Sequence, residues 1–489
     1  MNTGRLETAV EPEGKFEYTK AKTWEIAAFA ANNSATNVFL FLMMYVAYYA
    51  SGIVGLGTVL VSNVIAGSRF FDGITDPIIG LLIDKTDGKF GKFRLFMIVG
   101  YSIMSISVLT MFFTTHLVPE AFSLIYWALL YVIYIIGYTF QTACTKSGQS
   151  ALTNDPDQRP LFSLFDISYT SLLFSGAAVY VSNYLVPKHG GFTETLFYEF
   201  GITIIIFSGI LTALAVAGIW SHDRTEFFGS GGQNKKIGFK EMFGILKGNR
   251  PLQMLVVAAS TDKLGQSISG NSIVMVMLFG IIIGDYGMYG KMAMLTLIPS
   301  LIIVYFGTKL ARKSGTKKAY VVATWLCIIL FSGMFFLLWL GDASQISLSN
   351  FNLMTISFLA LYIIGYGVRT VSGGLVIPMI PDVTDYETYK NDRYAPGVIG
   401  TLFSFVDKLI SSLAQSVVGL AVAAIGFTEV FPDINTPYSD DIFMVTMFLF
   451  VGTLLAAWIA SLIAMKFYEL DDKRMVEIQE AIEKSRQSA

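Results

Sequence analysis

Arg69-Phe-Phe-Asp72-Gly-Ile-Thr75-Asp76-Pro77-Ile-Ile-Gly80-Leu-Leu-Ile-Asp84-Lys85 sets two carboxylates, Asp72 and Asp76, inside an apolar run long enough to cross a bilayer. Four positions apart on a helix, they share one face, about one turn from each other. A charged side chain near the bilayer centre costs roughly 2.5–3.5 kcal/mol even on the lenient insertion scale. Two like charges that close ionise together only when a cation sits between them. The stretch therefore reads as a cation or proton site in a membrane protein. An ion pair with Arg69, one turn before Asp72, is the competing reading. One arginine serves one carboxylate more readily than both.

The surrounding composition agrees. The chain has 489 residues, 54% hydrophobic and only 14% charged, against about 25% charged in soluble domains. Twelve apolar segments of spanning length fall near 23–50, 56–83, 95–115, 120–150, 161–187, 198–220, 251–283, 289–311, 319–341, 351–380, 396–427 and 442–468. An all-α, polytopic membrane protein is expected. The first 22 residues are polar, with no apolar core ahead of a small-residue cleavage site, so no signal peptide is read. Cys144 and Cys327 sit inside apolar spans and read as buried thiols rather than a disulfide framework.

Lysine and arginine set the expected orientation. Lys85, Lys89, Lys92 and Arg94 follow the second span; Arg224, Lys235, Lys236, Lys240, Lys247 and Arg250 fill the centre; Lys309, Arg312, Lys313, Lys317 and Lys318 follow the eighth. The opposite side holds only Lys188 and, at a span edge, Lys291. Both termini are thus expected in the cytoplasm, with the protein multi-pass in the cell membrane. The net charge of −2 says nothing about partners.

The long polar interruption at 222–250 divides the spans six and six. The expected organisation is a cytoplasmic segment 1–22, a six-helix bundle 23–221, a central cytoplasmic loop 222–250, a second six-helix bundle 251–468 and a cytoplasmic tail 469–489. An internal repeat supports the division. Ile135-Ile-Gly-Tyr138 recurs as Ile363-Ile-Gly-Tyr366, 228 positions on (363 against 135), with Thr142 and Thr370, and Asn154 and Asp382, in the same register. Two halves related by internal symmetry suit a rocking transporter with its site at the midplane. Tyr138 and Tyr366, in the repeated segment, are candidate cavity residues.

Gly80-Leu-Leu-Ile-Asp84-Lys85 followed by Gly91-Lys92-Phe93-Arg94 resembles the signature between the second and third helices of the major facilitator superfamily. The longer run from Asp72 to Arg94, with Pro381-Asp382-Val-Thr-Asp385-Tyr386-Glu387, resembles the glycoside–pentoside–hexuronide cation symporters, the melibiose-permease group. The resemblance implies twelve transmembrane helices in two bundles, alternating access, and Na+, Li+ or H+ driving sugar uptake. It implies a cation site at Asp72 and Asp76, with Thr75 where the family often has Asn and Thr139 in place of a fourth-helix threonine. Lys408 matches a lysine near both the cation and the sugar. Hard oxygens of this kind suit Na+, and the Asn-to-Thr change leaves Na+ or H+ open. The acids with which galactoside carriers grip sugar hydroxyls become Thr36 and Thr142, a stacking aromatic becomes Lys146, and an arginine of the fifth helix has no match near Leu164–Asp166. Galactoside specificity is therefore not carried over. Asp84 and Arg94, with Asp382 and Asp385, are expected to form a salt-bridge latch at the cytoplasmic helix ends. As ordinary loop charges they would contribute little.

The spans also hold Lys146, Asp262, Lys263, Arg369, Asp407 and Lys408, which with Asp72 and Asp76 make four acids and four bases. Such residues usually face the bundle interior or a wet cavity. With a cation on Asp72 and Asp76, a positive surplus remains that would suit an anionic sugar such as a hexuronide. The bland alternative is that these bases pair with acids across the bundle or reach a cytoplasmic vestibule. Most of the aromatics, Trp24, Tyr45, Tyr48, Tyr49 and Trp325 among them, read as interfacial belt or packing residues.

No enzyme is expected. A phosphate-binding GxxxxGK[ST] loop is absent, and His116, His189 and His222 lie near loops or span ends without a His/Cys metal cluster. The reading is a symporter of a glycoside, oligosaccharide or hexuronide, needing no cofactor but a coupling Na+ or H+. Its partners are a small-molecule sugar and the lipid bilayer, without nucleic acid, and a monomer suffices. A cation-coupled lysolipid carrier, to whose headgroup Lys146 and Arg369 would be welcome, is one alternative. A non-transporting membrane sensor is another, and intact Asp72 and Asp76 argue against it.

Overall fold

With no water in the hydrocarbon core, a spanning backbone must satisfy its own N–H and C=O groups, and uninterrupted helices do so. The computed structural model describes residues 20–86, 90–153, 158–224, 244, 246–376, 378–391 and 396–488; the side chains of 70, 72–74, 76–77, 81, 84, 150, 159–160, 396–398, 400–401, 404, 472 and 485–488 lie outside the description. The helices are α1 (Thr23–Gly52, with a turn near Met44), α2 (Thr58–Lys85), α3 (Phe93–Thr114), α4 (Glu120–Leu152), α5 (Leu161–His189), α6 (Glu194–Ile219), α7 (Arg250–Ser269, bent by 48° into Ser272–Ile282), α8 (Gly287–Ser314), α9 (Thr316–Leu340), α10 (Leu353–Leu375, continued by Met379–Asn391), α11 (Pro396–Ala424) and α12 (Asp440–Phe467). A tail helix α13 (Asp472–Ser488) follows.

Helix starts fall where polar side chains can cap free N–H groups. Thr193, Asn249, Asn352 and Ser439 accept the amides of Leu196, Leu252, Thr355 and Ile442. Among the described residues ten helices are long and apolar enough to cross a membrane, or eleven with the bent α7 counted. α2, which carries Arg69, Asp72, Asp76 and Asp84, is not among them, so the expected twelve are matched in position but not in count. Large apolar side chains such as Ile106, Leu129, Ile206, Ile298 and Ile329 stay exposed on the outer faces, where lipid takes the place of water.

The packing repeats with a period of six helices. α1 packs on α6 as α7 does on α12; α3 on α4 as α9 on α10; α1 on α5 as α7 on α11; α2 on α4 as α8 on α10. Between the two sets, α2 meets α11 and α5 meets α8, which is the same pairing under that period. The recurring Ile-Ile-Gly-Tyr segments sit on α4 and α10, equivalent helices.

Hydrogen bonds joining the two sets gather toward the end remote from the chain termini. Tyr45 and Tyr286 meet through their hydroxyls at 3.0 Å, and Tyr48 donates to the Pro432 carbonyl at 3.0 Å. The Thr58 amide and hydroxyl both reach the Thr428 carbonyl. Asn183 donates to the Gly287 carbonyl, and Asn435 to that of Gly190. This remote end is closed.

Candidate cation and substrate site

α2 supplies the cation candidates. Positions 72 and 76 lie on the stripe of α2 that also carries Val61, Ile65, Ser68, Thr75, Ile79 and Ile83, every one of them buried. The carboxylates of Asp72 and Asp76, and that of the gating candidate Asp84, lie outside the described side chains. Their proposed helpers are described. Thr75 on α2 and Thr139 on α4 are buried with hydroxyl oxygens 3.5 Å apart, and Thr139 also donates to the Ile135 carbonyl at 3.0 Å.

Beside them, two adjoining cavities of about 370 and 290 Å³ open between the helix sets and share Arg69 and Ser411 in their walls. The larger is lined by Tyr138, Thr142, Lys146 and Lys408, all expected from sequence, together with Asn33, Gln149 and Asp166, which were not. The smaller runs toward the closed end past Lys263, Gln266, Asn271 and Gln415. Among the described lining residues four are basic (Arg69, Lys146, Lys263, Lys408) and one, Asp166, is acidic. Asp166 accepts from Asn33 at 2.7 Å. Both Arg69 and Asp166 fall within apolar runs and belong in the inventory of span charges.

The α1 and α4 walls are fixed by a buried amide network. Asn32 donates to the Gln141 carbonyl at 3.0 Å and to Thr145 at 2.7 Å; Gln141 donates to Thr212 at 3.1 Å and to the Met97 carbonyl at 3.2 Å. Thr36 belongs here. Its hydroxyl lies 3.0 Å from both Gln141 Oε1 and the Asn32 carbonyl, and it lines neither cavity. Tyr366 and Arg369 also lie apart from the two cavities. Tyr366 stacks on Tyr362 at 4.3 Å, and the Arg369 guanidinium rests over the Tyr366 ring at 4.2 Å.

Two of the gating candidates, Arg94 and Asp385, have described partners. Arg94 pairs with Asp223, just beyond α6, through Nε at 3.2 Å, and stacks over Trp220 at 4.4 Å. The same carboxylate accepts the amides of Lys92, Phe93 and Arg94 at 2.9–3.1 Å, capping α3. Gly91 of the Gly91-Lys92-Phe93-Arg94 run has φ +78° and would drive any Cβ into Asp223, so glycine is required on both counts. Asp385 accepts from Gln479 of the tail helix at 2.7 Å. Cys144 and Cys327 are free and buried, as expected.

A two-set helical bundle with a polar cavity between the sets is a transporter architecture. The chain belongs to the MFS/sugar transport protein family, matched over residues 28–472, and is a transporter rather than an enzyme. It is similar to the uncharacterized symporter YnaJ of Bacillus subtilis (strain 168), 23% identical over 92% of each chain. The putative glycoside/cation symporter YagG of Escherichia coli (strain K12) is 23% identical over 91% of each. A putative sulfoquinovose importer of Salmonella typhimurium is 21% identical over 94% of this chain and 92% of its own. Among solved structures, a bacterial homologue of the iron transporter ferroportin in an inward-facing state shares the fold, with a TM-score of 0.62, 13% identity, and 92% and 98% coverage.

Proposed function

We propose that the chain couples inward movement of Na+ or H+, bound at Asp72 and Asp76 with help from Thr75 and Thr139, to uptake of a sugar that carries a negative charge. The observation that carries the second half is the excess of basic over acidic side chains in the described cavity walls. An ammonium or guanidinium group makes charge-assisted hydrogen bonds to a carboxylate or sulfonate, while Asn33, Gln149, Thr142 and Ser411 offer neutral partners to sugar hydroxyls. The sulfoquinovose-importer relative is consistent with an acidic sugar. With the basic loops on the cytoplasmic side, the closed remote end faces outward. Residues 23–221 and 251–468 then rock about α2–α11 and α5–α8. Proteoliposomes holding the purified protein test this reading. An imposed Na+ or H+ gradient should drive accumulation of a glucuronide and not of the matching glucoside. Equal handling of both removes the acidic-sugar part, and indifference to either gradient removes the coupling.

A further inference from the structure

Asp262 is a span charge that lines neither central cavity. It lies on α7 and is 2% exposed, about 18 Å along the helix from Arg250 at 1.5 Å per residue and so deep in the hydrocarbon layer. Its neighbour Lys263 lines the central cavity, so the two side chains diverge. Asp262 instead faces α9 and α12. Tyr320 of α9 donates to its Oδ2 at 2.6 Å, and Ser461 of α12 is hydrogen-bonded to Oδ1. Both partners are fully buried. One helical turn on, a Cβ at Gly265 would stand 2.8 Å from the Ala457 methyl, so α7 and α12 are in close contact beside the carboxyl and leave little room for water.

The hydroxyls around this group accommodate a neutral acid, with Thr261 also 3.1 Å from the Ala258 carbonyl and 3.3 Å from Ser461. Ser461 Oγ also lies 3.0 Å from the Ala258 carbonyl, and a hydroxyl has one proton to give. If Asp262 were ionised, Oδ1 and the Ala258 oxygen would compete for it. If Asp262 is protonated, its O–H donates to Ser461, Ser461 donates to Ala258, and Tyr320 donates to the other carboxyl oxygen, so these three contacts are made together. Charge points the same way. Among the described residues no Lys, Arg or His forms a salt bridge with Asp262. On α9, Tyr320 faces it; Lys263 turns to the cavity; Arg369 of α10 rests over Tyr366; Glu387, in the continuation of α10, accepts from Asn249 at the start of α7. α12 contributes the neutral Ser461. An unpaired carboxylate there would bear the full cost of burial.

We propose that Asp262, Tyr320 and Ser461 form a proton-binding site inside the second helix set, separate from the Asp72 and Asp76 positions, and that the bound proton keeps α7 seated on α12. Because α7 presents Lys263, Gln266 and Asn271 to the cavity from its other side, release of this proton loosens a wall of the substrate site.

Infrared spectroscopy of the purified full-length protein tests the site. At neutral pH the parent should show the C=O stretch of a neutral carboxylic acid, and Asp262→Asn should lose one such group per chain. Superimposable spectra in this region would overturn the proposal, as would a band in the parent that disappears on adding Na+, which would mark a sodium site instead. Should Asp262→Asn fail to fold, Ser461→Ala keeps the carboxyl and removes its proton acceptor. The band must then shift, and an unmoved band would equally refute the assignment.

Discussion

The amide of Gly290 in α8 donates to the Ser182 hydroxyl of α5 at 3.1 Å, across the divide between the helix sets. A Cβ on Gly290 would stand 2.6 Å from Val179 Cα, a backbone atom that cannot rotate away. Gly419 of α11 presses on Ser62 of α2 in the same manner. The two crossings correspond under the six-helix period. Closure of the remote end therefore depends on glycine at both.

Gly290→Ala should penalise the closed remote end by about 1–3 kcal/mol, the usual cost of overpacking. Such a penalty shifts the balance toward the form open at that end by roughly 5–150-fold. Labelling of single cysteines placed near Tyr48 or Asn183 should rise accordingly. Unchanged labelling would show that the crossing relaxes without opening.

Asp223 carries a stability prediction. It is 1% exposed, caps three amides at the start of α3 and holds Arg94. Asp223→Ala removes all of these at once and strands a guanidinium whose side chain is only 12% exposed. Breaking a buried pair in this way costs about 3–5 kcal/mol. A clear drop in thermal unfolding temperature should follow, with Asp223→Asn falling between the two. An unshifted transition would mean that water replaces the cap.

How far these residues could be read beforehand depends on what each needs. The all-helical, many-span architecture was legible because apolar runs of that length have few other uses. Thr75 and Thr139 were legible through family resemblance and do meet. Asp223 was not, because a carboxylate at the edge of a polar loop looks solvated until the chain brings it back to α3. Thr36 was read toward the sugar, but a hydroxyl one turn beyond Asn32 finds the buried amide network first. Asp166 and Arg69 carried a plain signal, a charge within an apolar run, and only their shared cavity shows its meaning.

The cation site yields the next expectation. Asp76→Asn removes one of two acids on the buried stripe of α2 and should abolish gradient-driven accumulation while sparing downhill exchange. Thr139→Ala, which leaves both acids, should weaken the apparent cation affinity. One lost hydrogen bond or ligand contact of about 0.5–1.5 kcal/mol corresponds to roughly two- to tenfold in the concentration for half-maximal uptake. Uphill transport at the parent rate in Asp76→Asn vesicles would move the coupling site off α2.

Substrate charge is tested most directly at Lys146. It lines the larger cavity with Lys408 and Arg69, on the same helix as Tyr138 and Thr142. A hydrogen bond from an ammonium group to an anionic oxygen contributes roughly 1.5–3 kcal/mol, a preference of about tenfold to hundredfold over a neutral analogue. Lys146→Gln keeps a donor of similar reach and removes the charge. Calorimetric titration should show a glucuronide losing about that factor in affinity, while the weaker binding of the matching glucoside changes little. A parallel loss for both sugars would assign Lys146 to the shape of the cavity wall, and no loss for either would leave Lys408 and Arg69 as the anion partners. A larger loss in Lys408→Gln would support that second outcome, since Lys408 enters the cavity from α11, opposite the α4 wall, and contacts with both walls are what the substrate needs to draw the two helix sets together.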